Sequence, residues 1–435
     1  MCEVVLGLGS NVGHKLSNLR QAIDLIAKRI GQVQKVSPIY QTKALLPANA
    51  PPSWDIDYYN LAVLVQTNLA PEALLSEIKR IETTLGRDPE HAFWSPREID
   101  IDILCYEDLS YQNEHLTIPH KELLKRNFAL KPLLDVYPCW RHPQYSDDLY
   151  QYIKNIKKMP MLELAPFTLA GSQIMAIVNL SSDSFSQQGE ELIPLEQFEQ
   201  YIIGLVNEGA EVIDLGAEST KPDVKPITAE VYWQRLKPYL EIVESLVNTR
   251  VLPVDLKVSI DTYHAEVVEK ALNYSCVNII NDIYGVEANL IAALIKDKNI
   301  DYVFMHQLGV AGGKYLSGDS DPVSEVIAFA KEKIQILLDA GIRKERLIFD
   351  MGIGFGKTAY QAQQLLDGVA EIKESLGVKI LVGHSRKSSV MPYVATKDNA
   401  EKDLATAMIS RDLIKKGVDY LRVHNVRLTA IAKHI

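Results

Sequence analysis

The sequence predicts two units of different class: an α+β unit over residues 1–158 and a (β/α)8 TIM-type barrel over residues 159–435. Three observations predict them. The second half repeats a short β-rich run and an amphipathic stretch eight times over about 260 residues, the usual size of such a barrel. The first half mixes strand and helix patterns without that alternation, as α+β units do. Between the two, Pro138, Pro143, Pro160 and Pro166 punctuate the chain, and the boundary is expected near Met159.

In order, Val4–Leu8 reads as a strand ending in Gly9-Ser10-Asn11. It is preceded by no basic segment and no small-residue cleavage site, so it reads as a first strand and not as a leader. Leu16, Leu19, Ile23, Ile26 and Ile30 share one helical face. Val33–Tyr40 and Tyr59–Val65 are strand-like. Pro71–Leu85 is a helix with Pro in its first turn, where a missing N–H costs nothing. Ile99–Leu104 alternates carboxylate and aliphatic residues.

In the second half, β-rich runs end at Leu180, Glu218, Asp261, Asp282, His306, Asp350, Ser385 and Asn425. Helical stretches such as Leu195–Glu208, Glu230–Val247, Val323–Ala340 and Leu404–Lys416 separate them. Active sites of such barrels gather at the C-terminal ends of the strands. Here those ends carry Asn179, Asp214, Asp261, Asn281, Asp282, His306, Asp350, His384, Lys387, Arg422 and His424. Solvated loop residues would not place a polar group at nearly every strand end.

Composition narrows the class. Hydrophobic residues make up 47% and charged residues 23%, which excludes a disordered or collagen-like chain. The net charge is −10; residues 1–158 hold 18 basic and 19 acidic side chains, the remainder 28 and 37. Neither half has the basic excess of a general nucleic-acid binder. Anionic ligands must therefore be held by local clusters. No apolar run reaches the roughly 18 residues of a membrane span. Cys2, Cys105, Cys139 and Cys276 are far apart with no CxxC pair, as expected of incidental thiols in a reducing cytoplasm.

The sharpest local signal in the first half is Arg97-Glu98-Ile99-Asp100-Ile101-Asp102-Ile103-Leu104. Residues two apart on a strand share a face, so Asp100 and Asp102 present paired carboxylates while the isoleucines pack on the other side. Two adjacent anions are tolerable around a hard divalent cation, and Mg2+ favours one or two carboxylates plus phosphate oxygens. Such a strand suggests nucleotide-dependent phosphoryl transfer. Arg87, Arg97 and Arg126 could bind phosphate oxygens in bidentate fashion, with His120 nearby. Tyr58, Trp94 and Phe128 could supply faces for a flat heterocycle.

Leu8-Gly9-Ser10-Asn11, Tyr58-Tyr59-Asn60, Trp94-Ser95-Pro96-Arg97, the Asp100/Asp102 strand and Ile118-Pro119-His120 with Arg126 and Phe128 resemble 6-hydroxymethyl-7,8-dihydropterin pyrophosphokinase over about residues 1–140. The resemblance implies a ferredoxin-like fold and transfer of diphosphate from ATP to the pterin hydroxymethyl group, releasing AMP. It implies that Asp100 and Asp102 hold Mg2+ and that Arg87, Arg97, His120 and Arg126 contact ATP. Tyr58 and Phe128 would sandwich the pterin and Asn60 would bond its edge. The loop Asp88–Phe93 departs from the family in lacking extra basic residues, which bears on rate.

Gly352-Ile353-Gly354-Phe355-Gly356-Lys357-Thr358 looks like a P-loop but is one residue short of the required spacing, so it is read as a βα loop. A pterin edge could pair with Asp261, Asn281 and Asp350. A leaving diphosphate needs donors and cations, which suits Arg422, His424 and Asn179 with Mg2+. Ser385-Arg386-Lys387-Ser388 adds two more cations. Residues 177–186, 214–222, Ser259–Thr262, Asn281-Asp282, Met305-His306, Asp350 with its Gly-rich loop, Ser385–Ser388 and Arg422–His424 resemble dihydropteroate synthase over about residues 167–435.

This second resemblance implies condensation of p-aminobenzoate with the pterin diphosphate to give 7,8-dihydropteroate and diphosphate, so that one half makes the other's substrate. Asp214, Asp261, Asn281, Asp350, Lys387 and Arg422 would hold the pterin. Ser219, Thr220, Lys221, Phe355, Ser388 and His424 would surround p-aminobenzoate and the diphosphate. Loss of diphosphate would leave a cationic pterin methylene, stabilised by Asp261 and Asp350, with Lys387, Arg422 and His424 serving the catalysis. Ser181-Ser182, Lys221 and Asn425 depart from the family's usual Thr-Pro, Arg and Asp. The rival readings are a pterin-binding barrel of the methyltransferase kind, needing a corrinoid partner, and a non-catalytic pterin scaffold. Neither explains Asp100, Asp102 and Lys387 together. A homodimer through the barrel is the expected assembly, with no nucleic-acid or membrane partner.

Overall fold

The computed structural model describes residues 1–47, 49–88, 94–143, 145, 149, 163–164, 171–180, 193–218, 226–253, 255–308, 315–318, 321–387, 389–395 and 398–434. Two compact units divide the chain, Met1–Ala170 and Gly171–Ile435.

The first unit runs β1 (Cys2–Ser10), α1 (Lys15–Arg29), β2 (Gly31–Val36), β3 (Tyr40–Thr42), β4 (Tyr58–Thr67), α2 (Pro71–Thr84) and β5 (Asp100–Tyr106). The single strand expected over Val33–Tyr40 is two. Pro38 has no N–H to give a ladder, and the Ser37 hydroxyl accepts instead from the Ala62 N–H at 2.9 Å. Both pieces still pair antiparallel with β4. With β2 and β3 taken as one, the order β5-β1-β4-β2/β3 is that of a ferredoxin-like βαββαβ unit.

Helices α1 and α2 bury Leu19, Ala22, Ile26, Leu74, Ile78 and Ile81 against one face of this sheet. The sequence reading missed α3 (Asn127–Val136), which packs Leu130, Leu133 and Leu134 on the opposite face. Cover on both faces is why β4 reads as a continuous apolar run. A small hairpin joins β6 (Tyr111–Gln112) to β7 (Thr117–Ile118). Then β8 (Glu163–Leu164) pairs with Tyr40 and Gln41 of β3. Residues that the sequence reading gives to the second unit thus extend the sheet of the first.

In the second unit, β9 (Gln173–Asn179), β10 (Val212–Gly216), β11 (Lys257–Asp261), β12 (Val277–Asp282), β13 (Asp301–Met305), β14 (Leu347–Asp350), β15 (Lys379–Val382) and β16 (Tyr420–Val423) form a closed barrel, all parallel. The ring closes where Leu421 pairs with Ile174. Met175, Val212, Ile279, Val303, Ile348 and Leu381 fill its interior. The helices are α4 (Leu195–Asn207), α5 (Ala229–Asn248), α6 (Ala265–Ala271), α7 (Ala288–Ile295), α8 (Pro322–Asp339), α9 (Ala359–Asp367), α10 (Val369–Leu376), α11 (Asn399–Lys415) and α12 (Val426–His434).

Their starts follow local chemistry. The Asp321 carboxylate caps α8 by accepting from the N–H groups of Val323 and Ser324, ahead of Pro322. Thr358 and Gln361 form a capping box at α9. Each strand leads into a helix, and β14 into two, because Gly368 interrupts the stretch. No helix among the described residues is long and apolar enough to cross a membrane.

Candidate active sites

In the first unit, strand alternation turns Asp100, Asp102 and Leu104 toward α3, opposite Ile101 and Ile103. The antiparallel register sets Asp100 beside Gly9 and Asp102 beside Gly7; a side chain at Gly7 would press on Leu104 and one at Gly9 on Asn60, both of which line the same cavity. A cavity of about 640 Å³ results. Every residue the sequence reading assigns to this half lines it: Tyr58, Asn60, Arg87, Arg97, Asp100, Asp102, His120, Arg126 and Phe128. Of the loop 88–93 only Asp88 is described, so its expected role as a lid lies outside the described residues.

The two carboxylates differ. Asp100 Oδ1 accepts from Arg87 Nη1 at 2.7 Å and Arg97 Nη1 at 3.3 Å. Although burial works against its charge, Arg97 and Arg87 hold Asp100 below the usual carboxylate range. Asp102 Oδ2 faces His120 Nε2 at 3.9 Å and Arg126 Nη1 at 4.0 Å, beyond hydrogen-bond reach. Partial burial and the Asp100 charge push Asp102 up to about 7. Their side chains remain 30% and 38% exposed to the cavity.

Burial and the Arg126 charge lower His120 to about 4, so the ring is neutral near pH 7. Its Nδ1 accepts from the Glu122 N–H at 3.2 Å, which leaves the proton on Nε2, aimed toward Asp102. Phe128 stacks under Arg126, with the guanidinium 6.0 Å from the ring centre. Asn60 Nδ2 donates to Thr42 Oγ1 at 2.9 Å, fixing the amide in the cavity wall.

Sequence reasoning missed Glu82. Its carboxylate is 2% exposed, accepts from the Ile101 N–H at 2.8 Å and also binds Arg87. It thereby ties α2 to the acidic strand and aims Arg87 at Asp100. No local pattern distinguishes it from the other acids of α2.

At the C-terminal end of the barrel, Arg422 donates from Nε to Asp214 Oδ2 at 2.6 Å and from Nη2 to Asp261 Oδ2 at 2.7 Å. Asn281 Nδ2 reaches the same Asp214 oxygen at 3.2 Å. Asp214 and Asn281 are 0% and 1% exposed. Their remaining oxygens, Asp214 Oδ1 and Asn281 Oδ1, are buried without a hydrogen-bond partner. Burial raises Asp261 to about 7 against the pull of Arg422. It also raises Asp350 against Lys387, and it lowers Lys387 to about 8 against Asp350.

These last groups surround Gly383, where an added methyl would lie 3.6 Å from Asp350 Oδ2, 3.7 Å from Lys387 Nζ and 3.9 Å from Arg422 Cβ. Lys387 Nζ sits 4.6 Å over the Phe355 ring centre. His424 Nδ1 shares a 2.9 Å hydrogen bond with the Ser385 hydroxyl, and burial lowers the ring to about 3. Asn179 ends β9 beside Gly216. Ser219, Thr220, Lys221 and Ser388 lie outside the described residues, as do Ser181 and Ser182.

Three strand-end groups turn away from this centre. Asp282 accepts from Tyr302 Oη at 2.7 Å and from the N–H groups of Tyr284 and Gly285, so it shapes its own loop. His384 is 0% exposed and bonds to Thr406 O and Ser410 Oγ. Arg386, expected as a rim cation beside Lys387, instead makes a bidentate pair with Asp403 of α11 at 2.7 and 2.9 Å. Its φ of 59° swings neighbouring side chains to opposite sides.

The loop after β14 depends on one glycine. Gly352 has φ +70°, and a Cβ there would stand 1.9 Å from the His306 carbonyl oxygen. Gly352→Ala is expected to destabilise the barrel by about 3 kcal/mol or more, read as a lower urea midpoint.

Comparison with known proteins identifies the families of the two units. A model of 7,8-dihydro-6-hydroxymethylpterin-pyrophosphokinase matches residues 5–138 and a pterin binding enzyme model matches residues 175–424. A folate synthesis bifunctional protein of Chlamydia muridarum is 35% identical over 434 residues, covering 97% of this chain and 95% of its own length. Dihydropteroate synthase from Anaplasma phagocytophilum, solved with bound 6-hydroxymethylpterin-monophosphate, matches 61% of this chain and 97% of its own at 32% identity and a TM-score of 0.53. The HPPK-DHPS structure of Plasmodium falciparum matches 99% of this chain and 96% of its own at a TM-score of 0.53; at 21% identity this is a likeness of fold.

Proposed function

Because the chain belongs to the bifunctional folate-synthesis family, joining a hydroxymethyldihydropterin pyrophosphokinase to a dihydropteroate synthase, we propose which of its side chains carry each step. The two reactions are transfer of diphosphate from ATP to 6-hydroxymethyl-7,8-dihydropterin, releasing AMP, and condensation of that product with p-aminobenzoate to give 7,8-dihydropteroate and diphosphate. The match of bifunctional relatives along the whole chain leaves no place for a corrinoid-dependent barrel.

In the first step Asp100 and Asp102 would hold Mg2+. The fit rests on paired carboxylates that face one cavity, one of them pushed up to about 7 by burial and by the charge of the other. Among the described residues no cluster of three or more His, Cys, Asp or Glu side chains forms a metal cage, so phosphate oxygens and water would complete the shell. When bound, the ion neutralises phosphate charge. Arg87, Arg97 and Arg126 grip the triphosphate, and neutral His120 donates from Nε2. Tyr58 and Phe128 flank the pterin ring and Asn60 pairs with its edge.

In the second step the pterin lies against Asp214, Asp261, Asn281 and Asp350. The observation that carries this reading is the pair of buried, unpartnered acceptors Asp214 Oδ1 and Asn281 Oδ1. Such atoms cost about 1–3 kcal/mol each when unsatisfied, and the amino and ring N–H donors of a pterin match them. As the bond from methylene carbon to diphosphate oxygen breaks, Asp261 and Asp350 face the developing carbocation. Lys387, Arg422 and His424 take the charge growing on the leaving group. Asn179 would be a ligand for an ion on that diphosphate. Ser219, Thr220, Lys221, Phe355 and Ser388 surround the arylamine.

The barrels pair as a homodimer in this reading, supported by Leu404 and Met408 of α11, 55% and 65% exposed, beside Tyr393 at 59%. A cytoplasmic setting agrees with four free thiols. No nucleic acid or membrane takes part. Purified chain with ATP, Mg2+, hydroxymethyldihydropterin and p-aminobenzoate should yield equimolar AMP and dihydropteroate. ADP in place of AMP, or AMP without dihydropteroate, would remove one or the other half of the assignment.

A further inference from the structure

The motif left over from the sequence is the lysine of the near-P-loop. Lys357 is 3% exposed. Its Nζ donates to His306 O at 3.0 Å, Gly352 O at 3.0 Å and Phe355 O at 3.1 Å. An ammonium has three N–H donors, and three backbone carbonyls take them. Two belong to the loop after β14, while the third belongs to the residue that follows β13. No phosphate role is left for this group; it is a clip inside the protein.

What the clip holds is chemically active. The Gly352 N–H donates to Asp350 Oδ1 at 2.7 Å. The Phe355 N–H donates to Gly352 O at 3.0 Å, so the turn closes on itself. The Phe355 ring then lies under Lys387, 4.6 Å from Nζ. The His306 N–H in turn donates to Asp350 O at 3.0 Å, which joins the two strand ends. We propose that Lys357 is a positioning residue for dihydropteroate formation: it pins the 352–356 loop to the end of β13 and so sets Phe355 beneath Lys387 and the Gly352 amide on Asp350. It touches no substrate. The inference rests on the assignment of Asp350, Phe355 and Lys387 to the pterin and p-aminobenzoate site.

The test uses the full chain with substituted Lys357→Met and Phe355→Leu, singly and together. Lys357→Met should raise KM for p-aminobenzoate about tenfold or more and lower kcat/KM for the pterin diphosphate by a similar factor, with the ATP-dependent step within twofold of wild type. A purely structural role would lower the melting temperature and the active fraction, cutting kcat at unchanged KM. Because the effect on p-aminobenzoate runs through the ring, Lys357→Met should raise KM for p-aminobenzoate less than threefold further in the Phe355→Leu background; full additivity in that KM overturns the inference. If Lys357→Met does not fold, Phe355→Leu alone decides, and both KM values within twofold of wild type overturn it. Wild-type chain that makes no dihydropteroate would instead sink the assignment of the site itself.

Discussion

Asp102→Ala should reduce diphosphate transfer by about three orders of magnitude or more while leaving condensation of supplied pterin diphosphate with p-aminobenzoate within twofold. The size follows from the asymmetry of the acidic pair. Asp100 is already matched by Arg87 and Arg97, whereas Asp102 has the Arg126 guanidinium at 4.0 Å and the neutral His120 ring at 3.9 Å, and is pushed up to about 7. Asp102 is thus the carboxylate with most to gain from a divalent ion, and its loss removes half of the protein's grip on it. The same shift sets a pH dependence. A carboxylate with a raised pKa is protonated below it, so at limiting Mg2+ the first step should fade as pH drops through about 7. Excess Mg2+ should move that limb to lower pH. Initial rates of AMP release across pH at two Mg2+ levels test both points; a loss that spreads equally to the second reaction would refute separate sites.

The mirror experiment is Lys387→Ala. It should lower dihydropteroate formation by about two to three orders of magnitude, the usual cost of one charged donor aimed at developing charge, and spare AMP release. Lys387 is held at about 8 by burial, with Asp350 and Asp261 raising it and Arg422 opposing. An ammonium with a lowered pKa loses its proton as pH rises, so kcat/KM of the second step should fall through about pH 8. Lys387→Arg keeps its charge there, so that alkaline limb should vanish even though the rate stays low. A wild-type profile flat from pH 7 to about 9 would contradict the role.

Much of the barrel is legible in the sequence because each strand is an apolar run closed by a polar residue, and the polar residue is where pairing stops. Strands β11, β12 and β14 end at Asp261, Asp282 and Asp350, as expected. The acidic pair is legible for a different reason: period two on a strand needs no tertiary knowledge. What is hidden is direction. Arg386 and Lys387 are neighbours in sequence, but a left-handed backbone at Arg386 sends one to Asp403 and leaves the other near Asp350. Asp282 and His384 sit at strand ends and serve their own loops and helices. Glu82 and α3 were missed because their partners, Ile101 and the second face of the sheet, come from elsewhere in the chain. The Lys357 clip has three backbone acceptors, and carbonyls leave no trace in a sequence.

The two-residue strand β8 decides where the halves can be separated. A polypeptide stopped at residue 158 would lack Glu163 and Leu164 and would leave Tyr40 and Gln41 with a bare row of amides and carbonyls. Uncovered rows of that kind recruit strands from other molecules and drive aggregation. A pyrophosphokinase half cut after residue 170 keeps its own cover, and should be the better behaved of the two in solution.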